Sequence, residues 1–317
     1  MRTYLDFEKP IAELEGKIAE LRALAEDDSS VSIDDDVERL ERKAEEALKD
    51  IYKSLNPWQK TQVARHPQRP HMMSYVNRLI KDFTILSGDR KFADDHAIVG
   101  GIGRFRGEPV VIVGQEKGSD TQSRLHHNFG MARPEGYRKA VRLMELAERF
   151  ALPVISLIDT AGAYPGVGAE ERGQAEAIAR STDCCLGLGV PNVAVVIGEG
   201  GSGGAVAIAT TNKVMMLEHS IYTVASPEAS ASILWRDSTQ AEKAATNMKI
   251  TAQDLLKFGI IDQVIPEPLG GAHRDPEAVI DAVGDAVEKA IEDLKPLDAR
   301  DLRASRHKKY LEIGSSL

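Results

Sequence analysis

The 317-residue chain carries 40 Lys+Arg against 49 Asp+Glu, a formal net charge of −9, with 42% hydrophobic residues. That length suits two domains or one large α/β domain with appendages, and the apolar content supports a packed core, which excludes wholesale disorder. The longest apolar runs, such as 153–158 and 193–197, are strand-sized, far short of the roughly 20 residues of a membrane helix, and no basic stripe points to nucleic acid.

The N-terminus, MRTYLDFEKP, lacks the apolar stretch of a signal peptide. The only cysteines, Cys184 and Cys185, are adjacent, which supports neither a disulfide framework nor a four-ligand zinc site. These features are those of a soluble cytoplasmic protein with no metal of its own. Residues 1–50 hold 16 acidic and 8 basic side chains, so the rest of the chain is nearly neutral. Basic residues gather at 60–71 and 117–139, a pattern that suits phosphates or carboxylates and equally a solvated surface.

In chain order, Ile11, Leu14, Ile18, Leu21 and Ala25 recur at three- and four-residue steps, EDDSSVS interrupts, and Ile33, Val37, Leu40, Ala44, Ala47 and Ile51 resume. The spacing predicts two antiparallel helices, each with one apolar stripe. Such exposed stripes call for a partner surface, so residues 1–57 read as a docking or oligomerisation arm. From about residue 97 strands alternate with helices. AIVGGIGRF and PVVIVG flank Arg106-Gly107-Glu108, a hairpin signal. Residues 134–150 have helical periodicity with Pro134 in the first turn. PVISLID and NVAVVIG are buried strands, each followed by a glycine-rich loop and a helix, the first over roughly 170–182 and the second through Ile208. KVMML and IYTV are short strands, SPEASASILW opens a helix, and after Pro268 the chain is polar and helical. Repeated strand-loop-helix units predict a layered α/β body over 58–294, with 295–317 as a tail.

Gly100, Gly101 and Gly103 lie inside a hairpin rather than at a strand-to-helix turn, so they read as a bulge or close backbone approach and not as a dinucleotide loop. No ATP-binding P-loop motif occurs. Asn247-Met248-Lys249-Ile250 is a faint match to a biotin-acceptor lysine, and the adjacent His126 and His127 are poorly spaced for a metal.

The densest glycine cluster is Gly198-Glu199-Gly200-Gly201-Ser202-Gly203-Gly204-Ala205. Three readings compete. It contains the G-x-S-x-G of a serine hydrolase elbow, with Ser202 as nucleophile and Asp237, Asp254 or Asp262 with His273 as partners on paper. Alternatively, the glycines expose backbone N–H groups at a helix N-terminus as an oxyanion hole, where a Cβ on Gly203 or Gly204 would block an approaching oxygen. Close helix–strand packing is the third. The loop Asp159-Thr160-Ala161-Gly162-Ala163-Tyr164-Pro165-Gly166 ends the preceding strand, so both loops fall at one sheet edge, where ligands of such folds gather.

Eight strings, FEKPIAELE (7–15), ARHPQRP (64–70), NFGM (128–131), PEGYRKA (134–140), YPGVGAEERGQ (164–174), IGEGGSGGA (197–205), SILW (232–235) and EPLGGAH (267–273), run in order through most of the chain. Together they resemble the carboxyltransferase α subunits of bacterial multi-subunit acetyl-CoA carboxylase. The resemblance implies a crotonase-like (ClpP/crotonase) spiral of ββα units with an N-terminal helical hairpin and a helical C-terminus. It implies carboxyl transfer to acetyl-CoA from carboxybiotin borne by a biotin carboxyl carrier protein, with biotin carboxylase supplying that carrier. It also implies a zinc-bearing β subunit, most simply as α2β2. By carry-over, Gly203 and Gly204 hold the biotin ureido oxygen, Gly201 shapes the turn, and Gly162, Ala163, Tyr164 and Gly166 wall the pocket. The chain departs from the family pattern at Ser119, Ala161 and Ala229-Ser230.

Overall fold

The computed structural model describes residues 2–27 and 34–315. The chain begins with α1 (Lys9–Asp27) and α2 (Asp34–Lys53), then α3 (Pro57–Ala64), α4 (Met72–Leu79) and β1 (Ile80–Ile85). Next come the hairpin β2 (Ile98–Phe105) and β3 (Glu108–Gln115), α5 (Thr121–His126) and α6 (Pro134–Phe150). The centre is β4 (Val154–Thr160), α7 (Val167–Glu171), α8 (Gln174–Gly187), β5 (Asn192–Gly201) and α9 (Ser202–Ala209). There follow β6 (Lys213–Leu217), β7 (Ile221–Thr223), α10 (Pro227–Trp235), α11 (Ala241–Met248), α12 (Ala252–Lys257) and β8 (Gln263–Ile265). Two long helices, α13 (Pro276–Leu294) and α14 (Ala299–Glu312), close the chain. Among the described residues no helix is long and apolar enough to cross a membrane.

The strands form one mixed sheet in the order β1-β2-β3-β4-β5-β6-β8, with β7 paired to β5 beyond β6. The β1-β2-β3 edge is antiparallel, and from β3 onward the pairings are parallel. The ββα unit occurs as β2-β3-α6 and β6-β7-α10, separated by two single strand–helix units. Both faces of the central strands are covered, which is why they read as continuous apolar runs. Val154 and Ile158 of β4 with Ala194 and Val196 of β5 pack under α6, α8 and α9. Ile155 and Leu157 with Val193, Val195 and Ile197 pack under α4 and α13.

Several expectations change in detail. The helix expected over 170–182 is two helices, because Gly173 sits at φ +81° and breaks the chain between α7 and α8. Gly101 and Gly103 are places of close approach, where a Cβ would strike the Thr84 carbonyl or the Ile80 side chain. The bulge lies on the facing strand β1, between Lys81 and Thr84, with Asp82 at φ +51°. The two apolar stripes of the arm cover each other, burying Ile18, Val37, Ala44 and Leu48. Its base closes on the body through a small core of Ile11, Leu48, Tyr52 and Val63. There the buried Glu8 carboxylate accepts from the Tyr52 hydroxyl at 3.0 Å. Part of each stripe is thus buried within the arm and its base, while Leu14, Leu21 and Leu40 stay half-buried. Ile33 and most of the EDDSSVS break lie outside the described residues. At the other end, the fully buried Arg306 pins α14 by donating to the Cys185, Leu186 and Leu188 carbonyls and to Asn212 Oδ1.

Candidate active site at the crossing of two glycine loops

β4 and β5 are parallel neighbours, so the loops leaving their carboxyl ends emerge side by side. Their closest approach is backbone to backbone, and the Asp159 carboxylate at the start of the first loop accepts from the Glu199 N–H of the second at 3.0 Å. A Cβ on Gly201 would run into the Ala161 carbonyl, and one on Gly204 would lie 2.8 Å from the Gly162 carbonyl carbon and 2.9 Å from the Ala163 nitrogen. Glycine is required at both positions because nothing larger leaves room for the facing peptide. Thr160 clasps the first loop, its hydroxyl donating to the Gly162 carbonyl at 2.8 Å and accepting from the Gly162 N–H at 3.1 Å. Gln174 supports it farther on, donating to the Ala132 and Tyr164 carbonyls, each at 2.9 Å.

At this crossing the chain turns from β5 into α9. Gly201 caps the helix with no side-chain hydrogen bond, and Ser202 takes a left-handed φ of +53°. The N–H groups of the first helical turn thus have no side chain competing for them, and they sit at the positive end of the α9 dipole. Gly204 is buried and Gly203 half-buried. Gly203 lines a groove of about 560 Å³ with Ser202, Val206, Tyr222, Val224 and Met248. Its Cβ direction points toward the Ile178 side chain at 3.3 Å. A side chain there would therefore press on α8 before it blocked the groove, which corrects the expectation of simple obstruction.

The strained turn at Ser202 has the shape of a nucleophile elbow, but the rest of a hydrolase site is missing. Among the described residues, those lining the groove include no histidine or carboxylate. The paper partners are engaged elsewhere. Asp237 holds the Thr239 N–H, Asp254 pairs with Thr251, and Asp262 accepts from the Val214 N–H and Lys309. His273 is stacked on His66 at 3.6 Å between ring centroids. Burial, reinforced by His66 and Arg274, pushes its pKa down to about 3.

Of the remaining residues expected in the pocket wall, Gly162 and Ala163 meet Gly204 at the crossing. None of Gly162, Ala163, Tyr164 and Gly166 is among the groove's lining residues. The Tyr164 ring folds over Gly166 and carries the Arg133 guanidinium at 4.6 Å.

The sequence reading missed a buried ionic cluster beside the crossing. A cavity of about 250 Å³ is lined by Arg65, His71, Lys117, Arg124, Phe129 and Ala161, with Asp159 and Glu199 in its wall. The Lys117 ammonium lies 2.9 Å from Asp159 and 3.4 Å from Glu199. Arg65 bridges Glu199 and Glu228 at 2.6 Å each, and His71 Nδ1 is 3.2 Å from Asp159. Burial alone would raise the Asp159 pKa, but Lys117 and the His71 hydrogen bond outweigh it and hold the carboxyl below its usual range. The basic gatherings at 60–71 and 117–139 were visible signals. Their buried acidic partners, at the ends of β4 and β5, were not.

A family model for acetyl-CoA carboxylase carboxyltransferase-like proteins matches residues 4–314. The chain belongs to that family. It is 68% identical over all 317 residues to a protein of Rhodopseudomonas palustris strain HaA2 named acetyl-coenzyme A carboxylase carboxyl transferase subunit alpha, covering 98% of that protein. An identically named protein of Xanthobacter autotrophicus is also 68% identical, with both chains covered in full. Among solved structures, the transcarboxylase 12S core aligns with a TM-score of 0.58 at 18% identity over 71% of this chain and 41% of that one. The Pseudomonas aeruginosa geranyl-CoA carboxylase beta subunit gives 0.55 at 17% identity, over 78% and 46%. A Pseudomonas malonate decarboxylase hetero-tetramer gives 0.57 at 16%, over 68% and 86%. The chain thus spans under half the length of the first two solved chains. These likenesses establish the crotonase-like fold.

Proposed function

We propose that this chain is the α half of an acetyl-CoA carboxyltransferase. With a β subunit it moves the carboxyl group of carboxybiotin, borne on a biotin carboxyl carrier protein charged by biotin carboxylase, to acetyl-CoA. The product is malonyl-CoA, the first committed intermediate of fatty acid synthesis. The observation that carries this reading is full-length identity of 66–68% to proteins named for that subunit. The site supports it by fitting the chemistry required.

The carrier's biotin supplies the activated carboxyl, with negative charge developing on its ureido oxygen as that carboxyl leaves. The uncapped N–H groups of Gly203 and Gly204 suit that charge: Gly204 is held in place by its backbone contact with Gly162 and Ala163, and its neighbour Gly203 lines a largely apolar groove. Gly201 sets the turn, and Gly162 and Ala163 brace it. The groove-lining residues include no carboxylate or imidazole, and Lys249 and Tyr222 are their titratable side chains. We assign this chain the task of holding charge rather than of moving the methyl proton. The acetyl-CoA enolate oxygen needs a second set of donors, which we assign to the β subunit, along with the zinc ribbon. Among the described residues no group of three or more His, Cys, Asp or Glu side chains has a metal-holding arrangement.

The test is reconstitution. The purified chain alone should form no malonyl-CoA from carboxybiotin and acetyl-CoA and carry no stoichiometric zinc. Adding the β subunit should restore transfer in a complex of both chains, most simply α2β2. Full activity of the isolated chain, or an inert complex, would refute the proposal.

A further inference from the structure

Gln115, the last residue of β3, is buried, and both glycine loops share its carboxamide. Its Nε2 donates to the Gly204 carbonyl at 3.0 Å, and its Oε1 accepts from the Asp159 N–H at 3.2 Å. The residues before it on the strand, Val110 to Val113, are core. A primary amide at the end of such a strand costs free energy unless its donor and acceptor are both used. Here both are, on two peptides that no regular strand pairing joins: one at the end of β4, where the first loop departs, and one in the first turn of α9.

The carboxamide is planar and short, so it fixes the separation of the groups bound at its two ends. The Gly204 carbonyl belongs to the peptide directly after the Gly204 N–H. Holding that carbonyl limits rotation of the first helical turn, and with it the direction of the Gly203 and Gly204 N–H groups. The contact of Gly204 with Gly162 and Ala163 sets how close the loops come, and Gln115 sets how they are oriented.

We propose that Gln115 is a positioning residue for carboxyl transfer: it acts through the Gly204 peptide to aim the amide donors at the developing charge. This inference rests on the reading of those amides as the transition-state donors. Its signature is a loss of turnover without a matching loss of binding, because misaimed donors weaken an interaction made mainly in the transition state.

The experiment uses the complex with the β subunit and compares Gln115→Met, Gly204→Ala and the double variant. Gln115→Met keeps length and approximate volume and removes both hydrogen-bonding functions. It should lower kcat roughly tenfold, part of the loss seen when such a donor is removed outright, while the KM for acetyl-CoA and the elution volume of the complex stay at wild-type values. Because both changes act through the same donors, the double variant should be slower than Gly204→Ala by less than about twofold; independent effects would multiply. If Gln115→Met does not fold, Gln115→Glu keeps the acceptor toward Asp159 and replaces the donor with an oxygen, and it should be at least as slow. Wild-type kcat in the folded variant, or full multiplication in the double variant, overturns the inference. Normal turnover in Gly204→Ala instead sinks the amide reading itself, so the two failures are distinguishable.

Discussion

Gly204→Ala is the most informative single perturbation of the site. The added Cβ would lie 2.8 Å from the Gly162 carbonyl carbon, 2.9 Å from the Ala163 nitrogen and 3.1 Å from the Tyr137 hydroxyl. The nearest two atoms are backbone, so no rotamer change relieves them. Reaching ordinary contact at about 3.4 Å requires the first turn of α9 and the 162–163 peptide to part by about half an ångström. Oxyanion donors work over a narrow range of roughly 2.7–3.1 Å, so a shift of that size is enough to lose one of them. The expected cost is on the order of 3 kcal/mol, a hundredfold or more in kcat, with an added strain of about 1–3 kcal/mol in stability. Measured as malonyl-CoA formation from carboxybiotin and acetyl-CoA in the complex with the β subunit, kcat should fall about a hundredfold and the KM for acetyl-CoA change little. A folded, β-bound variant with a lowered Tm and near-normal kcat would show that the glycine serves packing alone.

Two further outcomes concern Ser202 in the same turn and a buried ion pair elsewhere in the body. Ser202→Ala should retain most carboxyl transfer, and a fluorophosphonate should not label the wild-type chain, because Ser202 has no base beside it; stoichiometric labelling with loss of activity would reverse that reading. Glu267 should contribute to acid unfolding. Burial alone would raise its pKa, but the Arg69 guanidinium, 2.5 Å away, lowers it to about 2. A carboxyl depressed in the folded state stabilises the protein above its unfolded pKa, and that contribution is lost as pH falls from about 4.5 toward 2. Denaturant titrations should therefore show wild type losing more stability over that window than Glu267→Gln, by on the order of 3 kcal/mol; parallel curves would contradict the assignment.

The legible parts of the fold are those whose cause is local. Helix α6 runs over Pro134–Phe150 as read, because a proline suits its first turn and its apolar face repeats at helical spacing. Strands β4 and β5 are apolar runs between loop residues, buried on both faces. Strand β1 escaped the reading because its bulge at Asp82 breaks the alternation that marks a strand. The helix after the first loop was read as one because Glu170 to Gln174 look like a polar first turn. Only the left-handed Gly173 reveals the break.

The glycines of the candidate site were legible as residue types, since consecutive glycines between strand and helix have few structural explanations. Their assignments were not. Glycine is needed at Gly201 and Gly204 because of peptides some 40 residues earlier in the chain, and Gly203 faces Ile178. The Arg65–Glu199 pair spans 134 residues, and Gln115 reaches Gly204 across 89. No spacing rule connects such partners, so the ionic cluster and the carboxamide clamp become visible only in three dimensions.

The central claim is that backbone N–H groups of Gly203 and Gly204 meet the charge on the biotin ureido oxygen. The most direct measurement is a crystal structure of the complex with the β subunit bound to a stable carboxybiotin ester analogue. The ureido oxygen should lie within about 2.7–3.1 Å of one or both amide nitrogens, with the rings of the ligand against the groove beside Val206 and Tyr222. A ureido oxygen held instead by Lys117 or Arg124 in the ionic cavity, with the α9 amides facing solvent, would contradict it.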